Sequence, residues 1–155
     1  MFSSVMCHCL GMRIGILGGT GPAGSALAAR LASIGFDVVI GSRSSERAHE
    51  VVVEFVAIFP ELENHLSGGD NAHASQCDLL VIATPWDSAA TTVQENAAAL
   101  SGKIVISMAN ALVRVAGEFQ PLLPPRGSVA AHIQAAIPLS RVVAAFHHLP
   151  AKELG

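Results

Sequence analysis

The residues best placed to do chemistry form one glycine-rich segment, Gly18-Gly19-Thr20-Gly21-Pro22-Ala23-Gly24, in which Gly19, Gly21 and Gly24 satisfy G-x-G-x-x-G. Alone, the pattern is a weak signal. Here it lies between a β-branched run, Arg13 to Leu17 (RIGIL), and an Ala-rich helical run, Ser25 to Ile34, which Gly35 ends. A second strand-like run, Asp37 to Ile40, follows at the spacing of a βαβ unit, the context that the motif requires. Gly19 then makes the tight turn, Gly21 lets a pyrophosphate approach the backbone, and Gly24 brings the helix close to the strand. The N–H groups that open the helix supply the anion site. The segment predicts a dinucleotide cleft.

Which dinucleotide fits is decided where the second run ends. An NAD site places Asp or Glu there to accept hydrogen bonds from the ribose 2'-hydroxyl, whereas this chain has Gly41-Ser42-Arg43. Arg43 can hold a 2'-phosphate through charge-assisted bonds, Ser42 can donate another, and Arg47 follows four residues later. Each charged hydrogen bond contributes roughly 1.5–3 kcal/mol, a preference of about 10- to 150-fold. NADP(H) is favoured over NAD(H).

Further contacts are expected from loops at the carboxyl ends of later strands, because ligands of open α/β sheets lie along that edge. Those loops are Thr84-Pro85-Trp86, Met108-Ala109-Asn110 and His147-His148-Leu149-Pro150. They offer no carboxylate pair, no Ser-His-Asp set and no metal cluster. Hydride transfer between two bound cofactors suits such mild side chains, since it needs alignment more than a strong general acid.

The elements that must position these loops are legible as alternating β-branched and Ala-rich runs, the pattern of repeated βαβ units. After the first unit, a helix is expected over 44–59, with Ser45 as N-cap, Val52, Phe55, Val56 and Phe59 on its apolar side, and Pro60 as its stop. A short strand at Leu66 ends before Gly68-Gly69, and one or two helical turns cover 71–76. A strand at 78–83, a helix at 87–100 and a strand at 103–107 follow. Pro121, Pro124 and Pro125 mark an irregular connection, and a helix at 128–136 and a strand at 141–146 complete the pattern. The prediction is an α/β chain, a Rossmann-type doubly wound, mostly parallel sheet of six strands over residues 12–155, with no internal linker.

Composition agrees. The 155 residues are 51% hydrophobic and 14% charged, with formal charge −3, so no basic stripe is available to neutralise a nucleic-acid backbone. Mean hydropathy is positive, yet Gly, Pro or a charge breaks every apolar stretch before the roughly 20 residues of a membrane helix. Neither nucleic acid nor membrane is an expected partner. Residues 1–11 lack a signal-peptide pattern and read as a disordered leader or an upstream start-site choice. Cys7-His8-Cys9 lacks the second ligand pair of a zinc site. The three cysteines leave one unpaired in any disulfide scheme, which points to a reducing cytoplasm.

Several of these segments, in order, resemble the NADPH-dependent reductases of the deazaflavin coenzyme F420: MRIGILGGTGPAG from Met12, IGSR at 40–43, TPW at 84–86, KIVISMANALVRV from Lys103 and AAFHHLPA from Ala144. The resemblance implies reversible hydride transfer between nicotinamide C4 and deazaflavin C5. It implies that Thr20, Gly21, Pro22 and Ala23 bind the NADP phosphates, with Thr20 also near the 2'-phosphate that Ser42, Arg43 and Arg47 hold. Trp86 and Ala90 would line the path to the nicotinamide and Ala151 would close over it. Met108, Ala109, Asn110 and His147 would border the deazaflavin. His147 either donates a hydrogen bond to that ring or merely finishes a buried strand.

Relatives in that family continue beyond the position of Gly155, into a segment that completes the sheet, covers the deazaflavin and supports a homodimer. Its lack here leads to the expectation of a C-terminally truncated chain. Two other readings stay open: an NADP(H)-binding module without turnover, and an imine or ferric reductase with a related N-terminal domain.

Overall fold

The computed structural model describes residues 11–154, so nearly all of the expected leader, with Cys7-His8-Cys9, lies outside the described residues. The first βαβ unit comprises β1 (Arg13–Leu17), α1 (Pro22–Ser33) and β2 (Asp37–Ser42). Helix α1 begins three residues earlier than expected. Pro22 opens it with Gly21 as an extended N-cap, because the fixed φ of proline suits a first helical position, whose N–H has no partner to lose.

Helix α2 (Ser45–Ile58) is capped by Ser44, not Ser45: the Ser44 hydroxyl accepts the Arg47 N–H at 3.2 Å. Its core stripe also differs from expectation. Ala48 and Val51 are buried and Val52, Phe55 and Val56 pack beside them, while Phe59 is 45% exposed. A 3-10 turn (Pro60–Leu62) leads to β3 (Leu66–Asp70), which runs through Gly68 and Gly69 instead of stopping before them. The reason is packing: a Cβ on Gly68 would lie 2.8 Å from the Ala48 backbone, so only glycine lets α2 rest on this strand.

The second half contains α3 (Asn71–Ala74), β4 (Leu79–Ile82), α4 (Trp86–Glu95), α5 (Ala97–Leu100) and β5 (Ile104–Ser107). The single helix expected over 87–100 is two, broken at Asn96, whose side-chain amide donates to the Thr92 carbonyl at 2.8 Å. A hairpin of β6 (Leu112–Val115) and β7 (Glu118–Pro121) then occupies the stretch expected to be irregular. Ala116 and Gly117 both take positive φ at its turn, and both strands are exposed throughout, so no buried face imposed a visible alternation. Helix α6 (Val129–Ala136) and β8 (Arg141–Ala144) follow, and α7 (Ala151–Leu154) packs against α1. Strand β8 ends two residues short of expectation, ahead of Phe146, which sits at φ 64°.

The main sheet has six parallel strands in the order β3-β2-β1-β4-β5-β8. Both faces are covered, which explains the continuous apolar runs. Ile14, Ile16, Val38 and Ile40 face a core with α1 and α2, and Leu17, Val39, Leu80, Ile82 and Val105 face one with α4 and α6. The strand order reverses between β1 and β4, and a crevice opens there at the carboxyl edge.

Candidate functional site

At that crevice lies a cleft of about 390 Å3 bordered by Gly18, Thr20, Gly21, Ser42, Arg43, Asn71, Thr84 and Pro85, with Ser88, Thr91, Thr92 and Glu95 on its α4 side. The glycine loop is bent at Gly18, whose φ is +69°, and is tied down by the Gly19 N–H, which reaches the Gly41 carbonyl at 2.9 Å. Across the loop, a Cβ on Gly24 would come within 2.8 Å of Gly19 Cα and 2.9 Å of Ala83 Cβ, so Gly24 is the close-packing glycine. Gly21 is different. Among the described residues nothing lies within 4 Å of where its Cβ would be, and it faces the cleft at the amino end of α1. The order tight turn, open approach, close packing is the one a pyrophosphate cradle needs.

At the end of β2, Ser42 is buried, with its hydroxyl accepting the Ser44 N–H at 3.3 Å, and Arg43 is exposed at the cleft edge. The neighbouring carboxylate, Asp70, stands opposite Ser42 in the sheet register but caps α3 by accepting the His73 N–H at 2.6 Å. Glu46 is held below the usual carboxylate range by its own backbone N–H and the Ser44 hydroxyl. Arg47 pairs with Glu50 at 3.0 Å, both side chains more than half exposed.

Asn71 was not among the expected site residues. It is 8% exposed, and its Oδ1 accepts the Gly18 N–H at 3.1 Å, a bond between positions 53 apart that clamps the glycine loop to the end of β3. Because Oδ1 must accept, Nδ2 is left as a donor. Strand-end position marks Asn71 once β3 runs to Asp70; a strand that ends before Gly68 leaves its loop short of the carboxyl edge. On the other side of Gly18, the buried Thr84 Oγ1 has no partner among the described residues. Asn71→Ala is expected to cost about 1–3 kcal/mol of stability, the penalty of an unpaired buried N–H, and to weaken nucleotide binding severalfold. Denaturant midpoints and fluorescence titration check this. Unchanged values in both would show that the clamp contributes nothing.

Of the expected cofactor residues, Thr20, Gly21, Ser42 and Arg43 come together in this cleft, with Pro22 and Ala23 in the first turn of α1 behind them. Trp86 and Ala90 are half-buried on α4 and do not border it; Trp86 leans on the α4/α6 core. Met108 is 8% exposed and belongs to the α1/α2 core. Ala109, Asn110 and His147 meet in a second pocket of about 220 Å3, where Asn110 Nδ2 donates to the His147 carbonyl at 3.2 Å. His147 and His148 stack edge to face, with ring centres 5.4 Å apart. Ala151 begins α7 beside α1. Among the described residues no cluster of His, Cys, Asp and Glu could hold a metal, and no helix is long and apolar enough to cross a membrane.

Comparison with known proteins gives this geometry a family. The sequence profile of the NADP oxidoreductases, coenzyme F420-dependent, matches residues 13–111. The F420-dependent NADP reductase of Methanocaldococcus jannaschii is 35% identical over 143 residues, which cover 89% of this chain and 64% of that protein. A solved structure from Arthrobacter sp. FB24, provisionally described as an F420-dependent NADP reductase, superposes with a TM-score of 0.74 at 29% identity, over 91% of this chain and 65% of that one. An imine reductase from Bacillus cereus shares the fold at a TM-score of 0.62 but only 15% identity, over 90% of this chain and 42% of its own. The chain thus spans slightly under two thirds of the length of the relatives it resembles most among these, and its sheet is the Rossmann-type α/β fold. It belongs to the family of coenzyme F420-dependent NADP oxidoreductases.

Proposed function

We propose that this chain binds NADP(H) in the glycine-loop cleft and passes hydride between its nicotinamide and the deazaflavin coenzyme F420. One observation carries the reading: Ser42 and Arg43 share a cleft with Thr20 and Gly21 at the end of β2, while the adjacent Asp70 is committed to capping α3. A 2'-phosphate would find donors there, and a ribose diol would find no carboxylate at the end of β2, where NAD sites place one; Glu95 lies on the α4 side of the cleft.

In this proposal Gly19 to Gly24 hold the diphosphate, mainly through the N–H groups at the start of α1. Ser42, Arg43 and Arg47 hold the 2'-phosphate. Thr84 Oγ1, buried and without a partner among the described residues, fits a ligand hydroxyl as that partner. Ala90 and Ala151 flank the nicotinamide half, with Trp86 supporting α4 from its core side, and Ala109, Asn110 and His147 border the second cofactor, with Met108 packed in the core behind their loop. The nicotinamide supplies the hydride chemistry itself. The chain orients it and excludes water. Residues 12–155 act as the NADP-binding domain.

A second reading, a module that binds NADP(H) without turnover, is favoured by the pocket at Asn110 and His147, whose 220 Å3 falls below the about 300–1,000 Å3 typical of small-molecule sites. Titration calorimetry with NADPH and NADH, followed by turnover with purified F420, separates the two. NADPH-selective binding with bleaching of the deazaflavin supports hydride transfer, and binding without bleaching supports the module.

A homodimer in a reducing cytoplasm completes the proposal. The free, buried Cys77 supports that compartment, and the exposed Phe119 and Leu123 at the hairpin support association. Glu50→Gln releases Arg47 from its partner and is expected to tighten NADPH binding by up to about fivefold, because an exposed ion pair holds it by only about 0.2–1 kcal/mol. Competition titration reads the change, and weaker binding would place Arg47 outside the site.

A further inference from the structure

The second pocket ends on the amino terminus of α6. Ser128 caps that helix by accepting the Ala131 N–H at 3.1 Å, which leaves the N–H groups of Val129 and Ala130 without acceptors among the described residues. Facing them is Ser107, the last residue of β5. Val105, two residues earlier and on the same face of the strand, belongs to the core under α4 and α6, so Ser107 points toward α6. It is 1% exposed, borders the pocket, and its hydroxyl makes no hydrogen bond among the described residues. Among the described residues no acidic side chain borders the pocket. Three donors on two elements therefore border one small space that carries no acidic side chain among the described residues.

We propose that this pocket is a subsite for one anionic oxygen, of carboxylate or enolate type, held by the Val129 and Ala130 N–H groups and the Ser107 hydroxyl. The subsite stands on its own geometry, and naming its natural occupant as the oxygen-bearing edge of the deazaflavin rests on the proposed function. When a hydride leaves nicotinamide C4 with its electron pair and forms the C–H bond at deazaflavin C5, the nicotinamide is oxidised and the ring reduced. The displaced ring electrons accumulate as negative charge on the oxygen-bearing edge until a solvent proton neutralises it. Fixed donors aimed at such an oxygen stabilise charge as it develops, and a helix amino terminus supplies them without reorganisation.

The test is amide NMR of the full chain titrated with sodium acetate, with inorganic phosphate and with F420. Saturable movement of the Val129, Ala130 and Ser107 resonances by acetate, displaced by F420 but not by NADPH, is the expected result. Ser107→Ala should weaken acetate about tenfold or more, as loss of a hydrogen bond to a charged group does. Val129→Pro removes one donor at a first helical position that accepts proline, and should weaken it likewise. No saturable movement by either anion, or unchanged acetate affinity in Ser107→Ala, would overturn the subsite even if NADPH still reduces F420. Acetate binding that F420 neither displaces nor accompanies with turnover would keep the subsite, for a free small carboxylate, and would sink the hydride-transfer reading instead.

Discussion

Arg43→Ala is expected to weaken NADPH binding by about 10- to 150-fold while changing NADH binding by less than about threefold. Arg43 is the cation that shares the cleft with Thr20, Gly21 and Ser42, and only NADPH offers it a phosphate. Its neighbours cannot readily replace it. Arg47 is paired with Glu50, and Glu46, kept ionised by the helix start and Ser44, adds a negative charge to the same turn. The exposed position of Arg43 makes the contact sensitive to salt, so both cofactors must be titrated at one ionic strength. Equal losses for the two would show that Arg43 does not read the 2'-phosphate.

Gly21→Val should abolish binding of both cofactors, by about a hundredfold or more, and leave the fold intact. The open space around the Gly21 Cβ position among the described residues and its ordinary extended backbone mean that a Cβ there causes no clash. The volume it fills is where the diphosphate would lie. Gly24→Val is the contrast: its Cβ would press on Gly19 and Ala83, so this variant should lose stability as well as binding. Thermal melts beside cofactor titrations distinguish the two. Undiminished binding in Gly21→Val would remove the glycine loop from the site.

The strands and the loop they carry were readable because burial on both faces leaves unbroken apolar runs, and G-x-G-x-x-G has meaning only in that setting. Arg13 to Leu17 was located to the residue, and the six-stranded doubly wound sheet followed from the repeated βαβ pattern. What escaped notice was whatever depended on partners distant in sequence. Gly68 looked like a strand end, when its lack of a side chain is what admits Ala48 of α2. Asn71 looked like an ordinary helical turn, when its amide holds Gly18 from across the sheet edge. The hairpin at 112–121 has no buried face, so hydrophobic alternation could not announce it. The expected cofactor residues divide accordingly. Those on the glycine loop and the end of β2 converge, whereas Trp86 and Met108, assigned by likeness to relatives, turn toward the cores.

The central claim, hydride transfer between NADP(H) and F420, is tested most directly by following a label. NADPH carrying deuterium at nicotinamide C4 is incubated with the full chain and oxidised F420, and the reduced deazaflavin is analysed by mass spectrometry. Deuterium at C5, in step with loss of deazaflavin absorbance, is the predicted result. Saturable NADPH binding with no label transferred, or label delivered to a cyclic imine while F420 stays oxidised, would contradict it.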